Sequence, residues 1–187
     1  MHSKKFRGFS VEHWNTIEED TQLKTPIFDI IKRRSQLASE NIEGDFYILN
    51  PPDWINVVAT TPDMEFVTVE QYRHGVDKPT LEIPGGMVDP GETPLEASKR
   101  ELLEETGYQS DHWISLGVVD VNPAIQTNNT YTYWAKDCKK IRKQSLDQHE
   151  RIKTGLIPEP EFLELVANGT ITHSLVVAAV AKYLLYN

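Results

Sequence analysis

The sequence predicts an α+β protein with several short strands, one sharply bounded internal helix and two helices near its C-terminal end. Short apolar or alternating runs at residues 46–49, 54–60 and 66–73 are separated by segments with the composition of turns, as expected for strands. The helices are predicted from their periodicity and their capping residues. With 187 residues, 39% hydrophobic and 25% charged, the chain is expected to form one globular domain.

The other predicted elements lie on both sides of the internal helix. Residues 26–34 predict a strand or strand pair that ends near residue 39, and the three central runs are expected to pair as a meander. A bulge is predicted at Gly117 in the first of the later strands. The later segments are residues 113–121, 131–135 and 153–157 for strands and residues 160–167 and 173–185 for helices.

Composition argues against several locations and partners. The sequence has no run of 18 apolar residues, and its start, MHSKKFRGFS, has no apolar segment typical of a secretory signal. We therefore expect a cytoplasmic protein without a membrane partner. A net charge of −9 disfavours nucleic-acid binding, which needs clustered Lys and Arg. The single Cys138 cannot form an internal disulfide and is expected to be a structural thiol.

The internal helix is predicted over residues 94–106 from its capping residues. Thr93 suits the N-cap, Pro94 suits the first helical position, and Glu96 completes a T-x-x-E capping box. Gly107 favours the left-handed conformation in which helices often end. The Gly/Pro-rich loop before the helix predicts that the preceding strand ends at that loop.

Three glutamates fall on one side of this helix. Glu101, Glu104 and Glu105 stand at i, i+3 and i+4, which places them within an arc of about 100°. The small flanking residues Ala97 and Ser98 are expected to leave this arc open. Carboxylates at this spacing suit Mg²⁺ or Mn²⁺, which bind one or two carboxylates together with substrate phosphate oxygens. From the spacing alone, the alternative is a solvated acidic face without a metal.

The spacing of residues 86–108 resembles the conserved box of the Nudix hydrolase family. The chain reads Gly86, five residues, Glu92, seven residues, Arg100-Glu101-Leu102, one residue, Glu104-Glu105, one residue and Gly107-Tyr108. Every specified position matches, and Tyr108 departs most, because a large aliphatic residue is more usual there. The resemblance implies an α/β/α sandwich with a mixed β-sheet, and Mg²⁺-dependent hydrolysis of a nucleoside diphosphate linked to another group.

The resemblance also implies roles for the residues of the box. Glu101 and Glu105 would be the main metal ligands, and Glu104 would lie nearby as a further ligand or a catalytic residue. Arg100 would orient a glutamate through a charge-assisted hydrogen bond. Glu92 would either bind a metal or favour the positive end of the helix.

Residues before the box resemble the branch of the family that acts on ADP-ribose and nucleotide sugars. The match lies in Gln71-Tyr72-Arg73 and in Leu81-Glu82-Ile83-Pro84-Gly85-Gly86. By this match Arg73 would contact a phosphate or the distal sugar, because a guanidinium can bind two phosphate oxygens. Glu82 would position the substrate or the loop, and Gly86 would lie at the substrate. A surface arginine is the alternative for Arg73.

Two further features resemble the same branch. Pro123 stands 15 residues after Tyr108, where a proline marks the ADP-ribose class, and it would belong to the substrate site. Residues 1–44 resemble the N-terminal strand arm through which such proteins cross to a second subunit, so a homodimer is implied. Residues 45–187 would form the core of the single domain.

A candidate general base lies in a loop after the box. Residues 146–152 resemble the family segment that brings an additional acidic residue over the metal site. Gln148 and Arg151 stand where relatives often carry acids, which leaves Glu150 as the best carboxylate. His149, with an ordinary pKa of about 6.5, is the competing base. The alternative is that Glu150 is a solvent-exposed loop residue.

The combined prediction is a Mg²⁺-dependent pyrophosphatase that cleaves ADP-ribose or another nucleoside diphosphate sugar into a nucleoside monophosphate and a sugar phosphate. Other substrates within the same class are nucleoside triphosphates, dinucleoside polyphosphates and capped RNA. A nucleotide-sensing module without catalysis is the alternative from another class. The complete set of box carboxylates argues against that module.

Overall fold

The computed structural model describes residues 11–148 and 150–186, and these residues contain twelve strands and three helices. The strands are β1 (Asn15–Lys24), β2 (Asp29–Leu37), β3 (Ile42–Asn50), β4 (Trp54–Ala59), β5 (Glu65–Arg73), β6 (Lys78–Glu82), β7 (Gly85–Met87), β8 (Tyr108–Gln109), β9 (His112–Asp120), β10 (Asn129–Lys136), β11 (Lys139–Lys140) and β12 (Ile152–Pro158). The helices are α1 (Pro94–Thr106), α2 (Glu159–Ala167) and α3 (Ser174–Tyr186).

The described residues group into two compact units. The first contains the residues up to Pro51 together with Ala124–Thr127, and the second contains Pro52–Pro123 and the residues from Asn128 onward. The predicted division between arm and core, at residue 45, lies inside β3, whose residues all belong to the first unit.

The first unit is an antiparallel sheet in the order β1-β2-β3. The strand or strand pair predicted from residue 26 is the single strand β2. The acidic stretch before it was not predicted as a strand, and it forms β1. Opposite charges face each other across the sheet. The ion pairs are Arg33–Glu19 at 2.5 Å, Lys32–Asp45 at 2.8 Å and Arg34–Glu43 at 3.2 Å. The basic residues 32–34 of β2 thus have acidic partners on both neighbouring strands.

The second unit contains a mixed sheet in the order β7-β4-β10-β9, in which β4 and β10 are parallel. A second sheet, β12-β5-β6, is antiparallel, and β8 pairs with β11. The predicted meander is wrong, because β3, β4 and β5 lie in three different sheets. Turn residues between the runs predict where the chain changes direction, but they do not specify the partner of each strand.

The burial of β4 on both faces produces the layered fold. Ile55, Val57 and Ala59 pack in the hydrophobic cluster that contains α1 residues. Val58, on the opposite face, packs with residues of α2 and α3. Because successive strand residues point to opposite faces, helices cover both sides of the sheet. The expected α/β/α sandwich with a mixed sheet is confirmed.

The remaining local predictions agree closely with the structure. Strands β9 and β10 pair with an irregular register next to Gly117, whose φ of 97° marks the predicted bulge. The predictions of β12, α2 and α3 are confirmed to within two residues at their ends. Cys138 is buried, which raises the pKa of its thiol to about 12 and agrees with a structural role. Within the described residues, no helix is both long and apolar enough to cross a membrane.

Candidate active site

Local sequence defines both ends of α1, the helix that carries the box. The hydroxyl of Thr93 accepts a hydrogen bond from the backbone N–H of Glu96, and the Glu96 carboxylate accepts one from the N–H of Thr93 at 2.8 Å. Gly107 ends the helix in the left-handed conformation, with φ of 76°. The predicted capping box and C-terminal glycine are therefore confirmed.

Helix α1 carries two of the predicted metal ligands into the interior of the second unit. Glu105 is 3% exposed, and the side chain of Glu101 is 13% exposed. Ala97 and Ser98 are fully buried, because their small side chains allow the helix to pack closely on the sheet. The prediction that they leave the acidic arc open is wrong. Glu104, in contrast, projects outward with 40% of its side chain exposed.

Two consecutive residues of β7, Gly85 and Gly86, lie against the two buried glutamates. The N–H of Gly85 donates a hydrogen bond to Oε2 of Glu105 at 3.0 Å. A Cβ atom on Gly86 would lie 2.1 Å from Oε1 of Glu101. Any side chain at position 86 would therefore displace that carboxylate. This contact explains physically why the box requires glycine here.

Burial and mutual repulsion favour the neutral form of both glutamates. Burial raises the pKa of Glu105 to about 8, with further contributions from the negative charges of Glu101 and Glu150 and an opposing one from the Gly85 hydrogen bond. Burial also raises the pKa of Glu101, against the opposing effect of Arg100. A nearby positive charge would stabilise the ionised form of both carboxyl groups.

Arg100 links three acidic residues of the box. Its Nε and Nη2 atoms donate to both oxygens of Glu92, at 3.0 and 2.9 Å. Its Nη1 atom donates to Glu101 at 2.8 Å and to Glu104 at 3.3 Å, and Nη2 also donates to the carbonyl of Met87 at 3.0 Å. The guanidinium thus restrains Glu101 directly. Both oxygens of Glu92 are paired with Arg100, and these hydrogen bonds lower the pKa of the Glu92 carboxyl group.

Arg73 and Glu82 form a bidentate pair. Nε and Nη2 of Arg73 donate to the two carboxylate oxygens of Glu82 at 2.8 and 2.6 Å. The Thr80 hydroxyl donates to the same carboxylate at 2.5 Å. Burial opposes ionisation of Glu82, but the hydrogen bonds from Arg73 and Thr80 outweigh it, so its pKa is lowered. The charge of Arg73 also acts to lower the pKa of Glu105, which places the pair within electrostatic reach of the box.

The loop before β12 brings Glu150 toward the same glutamates. The negative charge of Glu150 acts to raise the pKa values of both Glu101 and Glu105. In this structure the Glu150 carboxylate accepts a hydrogen bond from the N–H of Asp147 at 3.1 Å, closing a turn. The competing base, His149, lies outside the described residues. The catalytic role of Glu150 stays a prediction.

Pro123 precedes a segment that pairs within the first unit. Leu49 donates its N–H to the carbonyl of Ile125 at 2.8 Å, and Thr127 donates its N–H to the carbonyl of Leu49 at 3.1 Å. Pro123 itself belongs to the second unit. Its predicted place in the substrate site stays a prediction.

Sequence reasoning missed two residues beside the Arg73–Glu82 pair. Thr80 precedes Glu82 by two positions in β6. Because side chains alternate between the two faces of a strand, this spacing could have indicated that Thr80 and Glu82 share a face. His173, which directly precedes α3, is the second: the negative charge of Glu82 raises its pKa and the positive charge of Arg73 lowers it. Burial is the main reason that its pKa is lowered, so the neutral imidazole is favoured. No local signal could have placed His173 there, because it is distant in sequence from both partners.

Glu101 and Glu105 are the candidate ligands for a divalent cation. Within residues 11–148 and 150–186, no group of three or more His, Cys, Asp or Glu side chains is arranged so that it could hold a metal ion by itself. Glu101 and Glu105 nevertheless supply hard oxygen donors, and their pKa values are raised by burial first and by the charges of neighbouring glutamates second. Mg²⁺ and Mn²⁺ suit such a site, since they bind few protein carboxylates and take other ligands from water and phosphate.

Comparison with known proteins identifies the family of this chain. A "Methanol dehydrogenase activator" of Bacillus methanolicus is 33% identical over 134 residues, which cover 71% of this chain and 72% of that protein. An "ADP-ribose pyrophosphatase" of Bacillus subtilis (strain 168) is 25% identical over 163 residues, which cover 83% and 87%. The crystal structure of an "ADP compounds hydrolase" shares the fold, with a TM-score of 0.81, 19% identity and coverage of 95% and 96%. Residues 51–169 match the NUDIX domain. This chain therefore belongs to the Nudix hydrolase family.

Proposed function

We propose that this chain is a divalent-cation-dependent pyrophosphatase that hydrolyses the diphosphate of ADP-ribose or another nucleoside diphosphate sugar. The products would be a nucleoside monophosphate and a sugar phosphate. The observation that carries the proposal is the Arg73–Glu82 pair, which holds a guanidinium within electrostatic reach of the buried Glu105. The similarity to an ADP-ribose pyrophosphatase over most of both chains supports the same substrate class.

Each charged residue has a distinct task in this proposal. Glu101 and Glu105 would hold Mg²⁺ or Mn²⁺, which when bound neutralises phosphate charge and lowers the pKa of water. Arg100 keeps Glu101 oriented through the 2.8 Å hydrogen bond. Nη1 of Arg73 takes no part in the pair with Glu82, so it can donate to a phosphate oxygen.

Proton transfer would involve the loop carboxylate. Water attacks one phosphorus of the diphosphate, the bond from that phosphorus to the bridging oxygen breaks, and the leaving phosphate takes that oxygen. Glu150 would accept the proton from the attacking water after releasing the N–H of Asp147, with which it pairs in this structure. A loop residue suits this role, because substrate binding can reposition loops.

The proposal also includes a homodimer and a cytoplasmic location. A homodimer is supported by apolar side chains of the first unit that remain exposed, including Ile17 at 51%, Ile27 at 54% and Phe46 at 44%. Burying such side chains against a second copy of the chain would be favourable. We place the protein in the cytoplasm.

A substrate screen tests the proposal. ADP-ribose, UDP-, GDP- and ADP-sugars, dinucleotides, ATP, dGTP and capped RNA would be incubated with Mg²⁺, and the products resolved by chromatography. ADP-ribose or a nucleotide sugar should give the highest kcat/KM, and Arg73→Ala should reduce that preference. Equal efficiency on ATP or dGTP would favour a triphosphate hydrolase. Binding of a nucleotide without turnover of any compound would favour a sensing module.

A further inference from the structure

The side chain of Gln144 links three separate parts of the second unit. Its amide nitrogen has two N–H groups and three acceptors within reach: the backbone carbonyl of Glu105, the hydroxyl of Thr154 at 2.7 Å and, through a shared N–H, the carbonyl of Ile152 at 3.3 Å. The Thr154 hydroxyl in turn donates to the same Glu105 carbonyl at 3.2 Å. These contacts connect the peptide group of a buried glutamate to the start of β12.

The Glu105 carbonyl is one of the groups that an α-helix leaves without a partner in its last turn. Gln144 and Thr154 supply the missing donors, and the N–H of Ser145 similarly donates to the carbonyl of Glu104 at 2.9 Å. The chain after residue 143 therefore rests directly on the C-terminal end of the helix that carries the box.

Gln144 also joins the two ends of the loop that carries Glu150. Residues 145–151 leave from Gln144 and return at Ile152, whose carbonyl accepts the hydrogen bond from the Gln144 side chain. Both ends of the loop are thus attached to the backbone of Glu105. Loss of these hydrogen bonds would therefore change the distance between Glu150 and Glu105 without altering either side chain.

We infer that Gln144 is a positioning residue that sets the base of the Glu150 loop against the Glu105 end of the box helix. This inference rests on the proposed role of Glu150 as the proton acceptor. A side chain that only donated hydrogen bonds to the free carbonyls at the end of α1 would affect the stability of the fold but not kcat. A positioning residue must also affect kcat, and the effect must depend on Glu150.

The test is a double-mutant cycle with Gln144→Ala and Glu150→Gln, assayed with ADP-ribose and Mg²⁺. Gln144→Ala should lower kcat by about 10- to 100-fold with little change in KM, because misplacement of a reacting group by about 1 Å has an effect of that order. In the Glu150→Gln background, the same change should lower kcat by less than about twofold, since coupled residues are not additive. Thr154→Val, which keeps the side-chain shape, should act in the same direction.

A matched control and a second measurement separate positioning from folding. Gln148→Ala changes an exposed glutamine of the same loop and should leave kcat unchanged. Hydrogen exchange in residues 145–151 should be faster in Gln144→Ala than in Gln148→Ala, with or without substrate. Equal losses of kcat in both Glu150 backgrounds, or unchanged exchange, would overturn the inference alone. A Glu150→Gln variant with the wild-type rate would overturn the proton-acceptor assignment and this inference with it. Failure of the unmodified protein to turn over ADP-ribose or any nucleoside diphosphate sugar would instead overturn the proposed function.

Discussion

The guanidinium of Arg73 donates two parallel hydrogen bonds to the carboxylate of Glu82, from Nε at 2.8 Å and from Nη2 at 2.6 Å. The side chain of Glu82 is 3% exposed, whereas that of Arg73 is 41% exposed. The arginine therefore compensates a buried charge at one edge and leaves another edge for a ligand. Arg73 and Glu82, which belong to two separate sequence motifs, thus form one ion pair.

The first prediction concerns the stability of this pair. Arg73→Ala should lower the free energy of unfolding by about 1 to 3 kcal/mol, because it leaves the buried Glu82 carboxylate without its cation. This range is below that for fully buried pairs, since Arg73 is partly solvated. Adding Glu82→Gln should restore much of the loss, and urea denaturation of the single and double variants measures it. Additive effects would show that the pair does not act as a unit.

The second prediction concerns the two buried box carboxylates. Glu101→Gln and Glu105→Gln should each lower kcat by about 10²-fold or more, because losing a metal contact raises the barrier by several kcal/mol. Steady-state rates at saturating Mg²⁺ provide the measurement, and circular dichroism checks the fold. Glu164→Gln, on the exposed side of α2, is the control. Either site variant that kept more than about a tenth of the wild-type rate would not be a metal ligand.

The third prediction follows from the raised pKa of Glu105. Its ordinary value is 4.5 and its value in the fold is about 8, so the folded state holds a proton that the unfolded state has released between these pH values. Without divalent cations, its contribution to stability is complete below pH 4.5 and is lost as the pH rises to about 8. The loss amounts to about 1.4 kcal/mol per pH unit within that window.

The comparison that isolates this effect is Glu105→Gln, which cannot titrate but can still accept the Gly85 hydrogen bond. Urea denaturation in EDTA should show the wild-type protein losing stability relative to Glu105→Gln between pH 5 and pH 8. Adding Mg²⁺ at pH 8 should stabilise the wild-type protein more than the variant. Parallel pH profiles would contradict the raised pKa.

The fourth prediction uses the glycine at the start of the box. Gly86→Ala should lower kcat by about 10²-fold, because its Cβ would lie 2.1 Å from Oε1 of Glu101 and must move that carboxylate. Gly75→Ala is the matched control, since a Cβ there meets no atom within 4 Å. Similar rates for the two variants would mean that the position of Glu101 is not critical.

The fifth prediction ranks the two candidate bases. Glu150→Gln should lower kcat by about 10²-fold with little change in KM, as loss of a general base does. His149→Ala should have a much smaller effect. Steady-state kinetics of both variants decide the ranking. The reverse order would assign the base to His149, and near-normal rates in both would return the task to the box glutamates.

The sequence was sufficient where the physical cause is local. The capping interactions of Thr93 and Glu96 and the left-handed turn at Gly107 act within a few residues, so both ends of α1 could be predicted. Sheet pairing could not be predicted from turn residues, because the partners of β4 are β7 and β10 and the latter is far along the chain. The wrong meander has this origin.

The family, the box helix and the identity of its carboxylates could be read from the sequence, since all three depend on residue type and spacing along one short segment. The burial of Glu101 and Glu105 could not be read from the sequence, because it depends on the distant strands that pack against α1 residues such as Ala97. Tertiary structure likewise brings the amide of Gln144 to the carbonyl of Glu105, 39 residues away. Such contacts arise from packing between distant segments, which no local pattern specifies.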